Sequence, residues 1–152
     1  MVSCKRILAA FKLNGQFIST PNKNLLSLLL LCLLGAAGKG YGQEVDIYVS
    51  KEGSDTSGNG SESKPFASIQ KAIDKSKNGE VILVLPGTYK ENINYNGKNI
   101  TVASKFLTTE DKSYIKSTII DGDKKGSVVT FNSRESADSI LLGLTIQNGL
   151  KG

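Results

Sequence analysis

The chain contains no histidine and no tryptophan, and only one methionine, three prolines and two cysteines in 152 residues. Without histidine, Ser-His-Asp triads, imidazole acid–base chemistry and most zinc catalysis are excluded. Both cysteines, Cys4 and Cys32, fall before residue 43. The part that follows therefore cannot be a disulfide scaffold, a thiol enzyme or a Cys-ligated zinc site. Any chemistry there must use Asp, Glu, Lys, Arg, Tyr or a hard cation.

Acidic residues are also missing from the first 43 positions, which hold Lys5, Arg6, Lys12, Lys23 and Lys39. Removing these five from the 19 Lys and Arg leaves 14, against 14 Asp and Glu, so the formal charge of +5 belongs entirely to the leader. A near-neutral remainder offers no basic stripe, and nucleic-acid binding is set aside.

The leader reads as an export signal. Leu25 to Ala37 is an uninterrupted apolar run, short for a membrane span, behind a basic start. Gly40 and Gly42 place small residues at minus 3 and minus 1, so cleavage is expected between Gly42 and Gln43. The basic lead-in is long, which also fits a translation start after Met1. Lipidation at Cys32 is disfavoured by Leu31 before it and by the apolar run beyond it. The expected address is secreted or cell-surface, with no stable membrane insertion of the mature part.

After the leader, Val45, Ile47 and Val49 alternate with polar residues as in a half-buried strand. Lys51 to Phe66 is a Gly/Ser/Asn-rich loop. Phe66, Ile69, Ala72 and Ile73 then fall at helical spacing, with Ser68 as N-cap and Asn78-Gly79 as the stop. Beyond Gly79 every signal is of the strand kind. "VILVL" (Val81 to Leu85) is apolar throughout, which suggests burial on both faces with the preceding helix as a cover. In "ILLGLTIQ", Ile140, Leu142, Leu144 and Ile146 share one face, and this even-numbered set is expected to point inward.

Glu80 to Ser104 is echoed by Ser117 to Gly149, each copy running strand, turn, short strand, polar turn, strand. A unit repeated at a few tens of residues is the mark of stacked coils that cannot bury their own apolar face alone. Two units followed by an end at Gly152 suggest a C-terminally truncated solenoid. Asn96-Gly97 carries the opposite message, because that pair favours a tight antiparallel hairpin and hence a β-sandwich. The short strands, three per unit, favour the coil.

On "IYVSKEGSDTSGNGSESKPFASIQKAID", "VILVLPGTYKENI", "STIIDGD" and "LLGLTIQNG", the chain resembles the amino-terminal portion of the secreted right-handed parallel β-helix proteins of the pectate-lyase-like superfamily. The resemblance spans Ile47 to Gly149. It implies an all-β solenoid with an N-terminal capping α-helix, Ile69 to Lys77, within a 43–79 cap segment ahead of coils from residue 80. The first coil would hold strands near Tyr48, Val81 to Leu85 and Glu91 to Ile93. The second would hold Ile100 to Ala103, Thr118 to Ile120 and Val128 to Phe131, with Leu142 to Ile146 opening a third. Lys105 to Lys116 would be a projecting loop. The resemblance further implies a polysaccharide partner, acidic glycans above all, and a monomer. If enzymatic, the family's lyase activity uses calcium and a Lys or Arg base, on coils more central than these. A non-catalytic adhesin or structural module is the alternative.

Candidate ligating and reacting groups are few. Asp55, Ser57 and Asn59 sit at alternate positions before Gly60, half of a calcium-loop pattern, but Phe66 stands where a closing Glu belongs. A flexible turn explains them as well. Asp121 and Asp123 offer two carboxylates for calcium, or a plain Asp-Gly turn. Lys124, Lys125 and Arg134 are the basic residues near that turn, and a base among them would need a lowered pKa. Tyr89, Tyr95 and Tyr114 are either sugar platforms or packing residues. Asn148 suits an inter-coil hydrogen-bond stack, and Asn99-Ile100-Thr101 matches a glycosylation sequon.

Overall fold

The computed structural model describes residues 44–150. The expected leader, and its cleavage point between Gly42 and Gln43, lie outside the described residues.

The fold is built from short strands in three parallel sheets. In chain order they are β1 (Ile47–Val49), α1 (Ile69–Lys75), β2 (Val81–Val84), β3 (Gly87–Lys90), β4 (Ile93–Asn94), β5 (Thr101–Ser104), α2 (Phe106–Thr109), α3 (Ser113–Ser117), β6 (Thr118–Asp121), β7 (Val129–Thr130), β8 (Ile140–Leu142) and β9 (Thr145–Gln147). One sheet has the order β1-β2-β5-β8, a second β3-β6-β9 and a third β4-β7. All of these strand pairs are parallel. The chain thus visits the three sheets in one order and returns to them in the same order.

Register turns this path into columns of like side chains. Ile47, Ile82, Val102 and Leu141 stack in the first sheet, and Tyr89, Ile120 and Ile146 in the second. Ile82, Val102, Tyr89 and Ile120 are fully buried and belong to one core with Ile93, Tyr95 and Ile100. Each such aliphatic side chain contributes about 1.5–3 kcal/mol by leaving water. Helix α1 joins the same core through Ile69, Ala72 and Ile73. It therefore packs on the inward side of β2, with Ile82 and Val84, and does not serve as a cover for the outward side, where Val81 and Leu83 are also buried.

Several expectations change. The antiparallel sandwich is overturned, because β4 and β5 do not pair with each other across Asn96-Gly97. The turn itself is as the sequence suggests: Asn96 and Gly97 take φ 53° and 77°, and Lys98 N–H donates to the Tyr95 carbonyl at 3.0 Å. The flanking strands, however, belong to different sheets and pair with the layers before and after. Strand β1 is a separate layer beneath β2 and not part of the first coil. Gly87–Lys90, passed over in the coil assignment, is a strand. Lys105–Lys116 is folded into the one-turn helices α2 and α3.

The even-numbered inward face of Ile140–Gln147 holds only for its second half, Leu144 and Ile146. Gly143, at φ 72°, bends the chain between β8 and β9, so the inward residues are Leu141, Leu144 and Ile146. Ile140 is exposed, and Leu142 pairs with the outward-facing Ala103.

Candidate functional site

Asp55 lies in the loop before α1 and is turned toward that helix. Its Oδ1 accepts from the Ala67 and Ser68 backbone N–H groups at 2.9 and 3.0 Å, and its Oδ2 from the Ser68 hydroxyl at 2.7 Å. Partial burial raises its pKa, but the bonds from Ser68 and Ala67 outweigh this and hold the carboxyl below the usual aspartate range. Ser68 in turn caps the helix by accepting from Lys71 N–H. Asn59 is engaged elsewhere, its Oδ1 accepting from the Ser61 N–H and hydroxyl. Asp55 and Asn59 thus share no partner.

Glu91 joins this corner, and nothing in the spacing of the sequence pointed to it. Its two carboxylate oxygens accept from Ile69 N–H at 3.0 Å and Gln70 N–H at 2.9 Å, the orphan donors of the first turn of α1. Burial pushes its carboxyl up, and the nearby charge of Asp55 adds to that; the two N–H bonds and Lys51 pull the other way without cancelling it.

Asp121 and Asp123 meet at the turn after β6. Asp121 Oδ1 accepts from Asp123 N–H at 2.9 Å, while Oδ2 accepts from Gln147 Nε2 and Asn148 Nδ2, both at 2.9 Å. The Asp123 N–H and then the two amides hold Asp121 below its ordinary value. Asp123 pairs with Lys125 at 2.9 Å. The turn is centred on Asp123 and Lys124, at φ 50° and 56°, with Lys125 N–H donating to the Gly122 carbonyl. Register places Lys90, Asp121 and Gln147 in one outward column across three layers. Asn148 does join an inter-coil bond, with an aspartate and not another asparagine.

Each of the four calcium candidates, Asp55, Asn59, Asp121 and Asp123, has partners within the fold. The oxygens of Asp55 and Asp121 face N–H and O–H donors and Asp123 faces an ammonium, positions a cation would have to take. Among the described residues no three His, Cys, Asp or Glu side chains converge for a metal. Lys125 is a poor base, because its bond to Asp123 raises its pKa and stabilises the charged form. Lys124 and Arg134 are exposed.

Tyr89 and Tyr95 are wholly buried, so they are packing residues and no sugar platform. Tyr114 lies near Lys105, whose Nζ is 5.8 Å from the ring centroid. Asn99 Oδ1 accepts from Ser136 N–H and the Ser139 hydroxyl, and Thr101 is buried. Asn99 is thus tied to the next coil through its amide oxygen.

Residues 51–96 match a family described as a protein of unknown function (DUF1565). The match covers the loop, α1 and strands β2, β3 and β4, one in each sheet. No curated protein and no solved structure matches the chain.

Proposed function

We propose that this chain is the helix-capped part of a right-handed parallel β-helix in an exported protein that binds or acts on polysaccharide, acidic glycans in particular. The observation that carries the reading is the outward column Lys90, Asp121 and Gln147, extended by Asn148. Parallel layers repeat every 4.7–4.9 Å or so, which sets polar side chains along a line and suits an extended polymer with many hydroxyls. Right-handedness follows the rule for crossovers between parallel strands. The family resemblance supports the glycan class by analogy.

The test uses the full chain in affinity electrophoresis through gels containing polygalacturonate, alginate or a neutral glucan. Retardation by the acidic gels, reduced by Lys90→Ala and Gln147→Ala, is the expected result. No retardation in any gel would sink the reading. Ultraviolet absorbance of the same mixtures with calcium separates the two versions of the proposal. New unsaturated ends mean a lyase, and retardation without them means a binding module. Sequencing the amino terminus of the exported protein should return Gln43 first.

A further inference from the structure

An open groove of about 530 Å³ runs between the Asp55–Asn59 loop and helix α1, and Lys90, Asp121 and Gln147 are not among the residues that line it. Its cationic wall carries Lys71 and Lys75, one helical turn apart, and Lys77 just past the helix. Ile47 and Phe66, 8% and 5% exposed, form an apolar floor. Thr56 and Asn59 stand on the opposite rim.

The charges in this groove are unbalanced in a specific way. Three lysines face two carboxylates, Asp55 and Glu80, and both acids are already committed to backbone donors. Asp55 holds Ala67 and Ser68, and Glu80 accepts from Lys77 N–H at 2.8 Å. Among the described residues the one ion pair is Lys125 with Asp123, so no carboxylate is within ion-pair distance of Lys71, Lys75 or Lys77, although the charge of Lys71 helps to lower the Asp55 pKa. The Thr56 hydroxyl and the Asn59 amide nitrogen likewise make no hydrogen bond among the described residues. Donors therefore line both sides.

The rim is rigid. A Cβ on Gly58 would meet the Ser54 and Pro65 carbonyl oxygens at 2.2 and 2.4 Å, so only glycine fits that approach. Asn59 N–H and Gly60 N–H both donate to the Lys64 carbonyl, and Tyr48 N–H to that of Gly60. A groove held this way loses little conformational freedom on binding. Lysine acts as a point charge with three donors, which suits a compact tetrahedral oxyanion.

We propose that this groove binds a phosphate or sulfate ester, with Lys71, Lys75 and Lys77 on the oxyanion and Thr56 and Asn59 on neighbouring hydroxyls. The oxyanion rests on the groove alone; the sugar that carries it rests on the glycan reading above.

Titration calorimetry on the full chain, with glucose 6-phosphate, a sulfated disaccharide, a neutral disaccharide and inorganic phosphate as probes, tests this. One of the two esters should bind, the neutral sugar should not, and the Lys71→Gln/Lys75→Gln double variant should weaken binding about tenfold or more through loss of two charge-assisted bonds. The better ester identifies the source of the oxyanion. Unchanged circular dichroism and thermal midpoint in the double variant exclude a folding effect. Lys90→Ala should leave ester binding intact, which separates this site from the outward column. Silence from both esters, equal binding by the double variant, or inorganic phosphate binding as tightly as the esters would each overturn the proposal.

Discussion

Glu91 and Lys98 hold opposite ends of the same helix. The Glu91 carboxylate accepts the Ile69 and Gln70 N–H groups at the start of α1, and the Lys98 ammonium donates to the Ile73, Asp74 and Ser76 carbonyls at its end, at 2.5–2.8 Å. Negative charge at the amino end and positive charge at the carboxyl end both complement the helix dipole. A seven-residue helix is too short to persist alone, so the first coil supplies its caps as well as its apolar seat.

Lys98→Met should keep the stem packing and lose the three carbonyl contacts. A loss of about 1–2 kcal/mol is expected for charge-assisted bonds at a partly buried helix end. Urea unfolding followed by circular dichroism checks it, and an unchanged midpoint would mean that water replaces the ammonium without cost.

Glu91 and Asp55 make opposite contributions to the pH dependence of stability. Glu91 has a raised pKa in the folded chain, so the native state holds its proton more tightly. Its contribution is fully present below the ordinary glutamate value of about 4.3 and is lost as pH climbs through the raised value. Asp55 is depressed, so its contribution is present above the ordinary aspartate value of about 3.9 and is lost as pH falls through the depressed one. Glu91→Gln should flatten stability on the high side of that range, and Asp55→Asn on the low side. Urea midpoints from about pH 3 to about pH 7 distinguish the two.

Tyr95 ties the first coil to the third. Its hydroxyl donates to the Ile140 carbonyl at 2.7 Å, and its ring lies 4.3 Å from that of Phe131. Tyr95→Phe removes that bond and should cost about 1 kcal/mol, whereas Tyr95→Ala opens a cavity and should cost about 3–5 kcal/mol. Thermal unfolding of the two variants measures the difference.

Gly143 and Gly79 both have left-handed backbones, at φ 72° and 89°, but different surroundings. A Cβ on Gly143 would meet Phe106 Cβ and Ser104 Oγ at 2.9 Å, while one on Gly79 would meet nothing within 4 Å. Gly79→Ala should cost about 1 kcal/mol of backbone strain, and Gly143→Ala more than that, by displacing α2 from β5. Hydrogen exchange at Phe106–Thr109 should accelerate only in the Gly143 variant.

Much of this architecture was legible in local pattern. Val45–Val49 alternation, the helical spacing of Ile69, Ala72 and Ile73, and the Asn96-Gly97 turn each specify backbone conformation over a few residues, and each is observed. The errors arise where conformation had to be converted into pairing. Asn96-Gly97 makes the tight turn it encodes, yet a turn says only that the chain reverses and not which strand receives it. The even-numbered inward face expected for Ile140–Gln147 holds after Gly143, at Leu144 and Ile146, but not before it, because the bend at Gly143 moves the chain to another sheet and resets which face is inward. For the candidate site, Asp55, Asp121 and Asp123 were visible as residue types, but Asp55 finds its partners a dozen residues on, at Ala67 and Ser68, and Asp121 finds Gln147 and Asn148 in the next layer. Glu91 had no local signal, since its meaning is its distance from Ile69 and Gln70, more than twenty positions away.

The sequence by itself determined the exclusions, the one amphipathic helix and the strand-turn repeat, because composition and short-range periodicity depend on neighbours a few residues apart. Only the tertiary structure decided that the strands pair in parallel, that α1 is capped at both ends from the first coil, and that three lysines face a rigid loop across a groove. Those relations join residues distant along the chain, and only the closing of the coils brings them together.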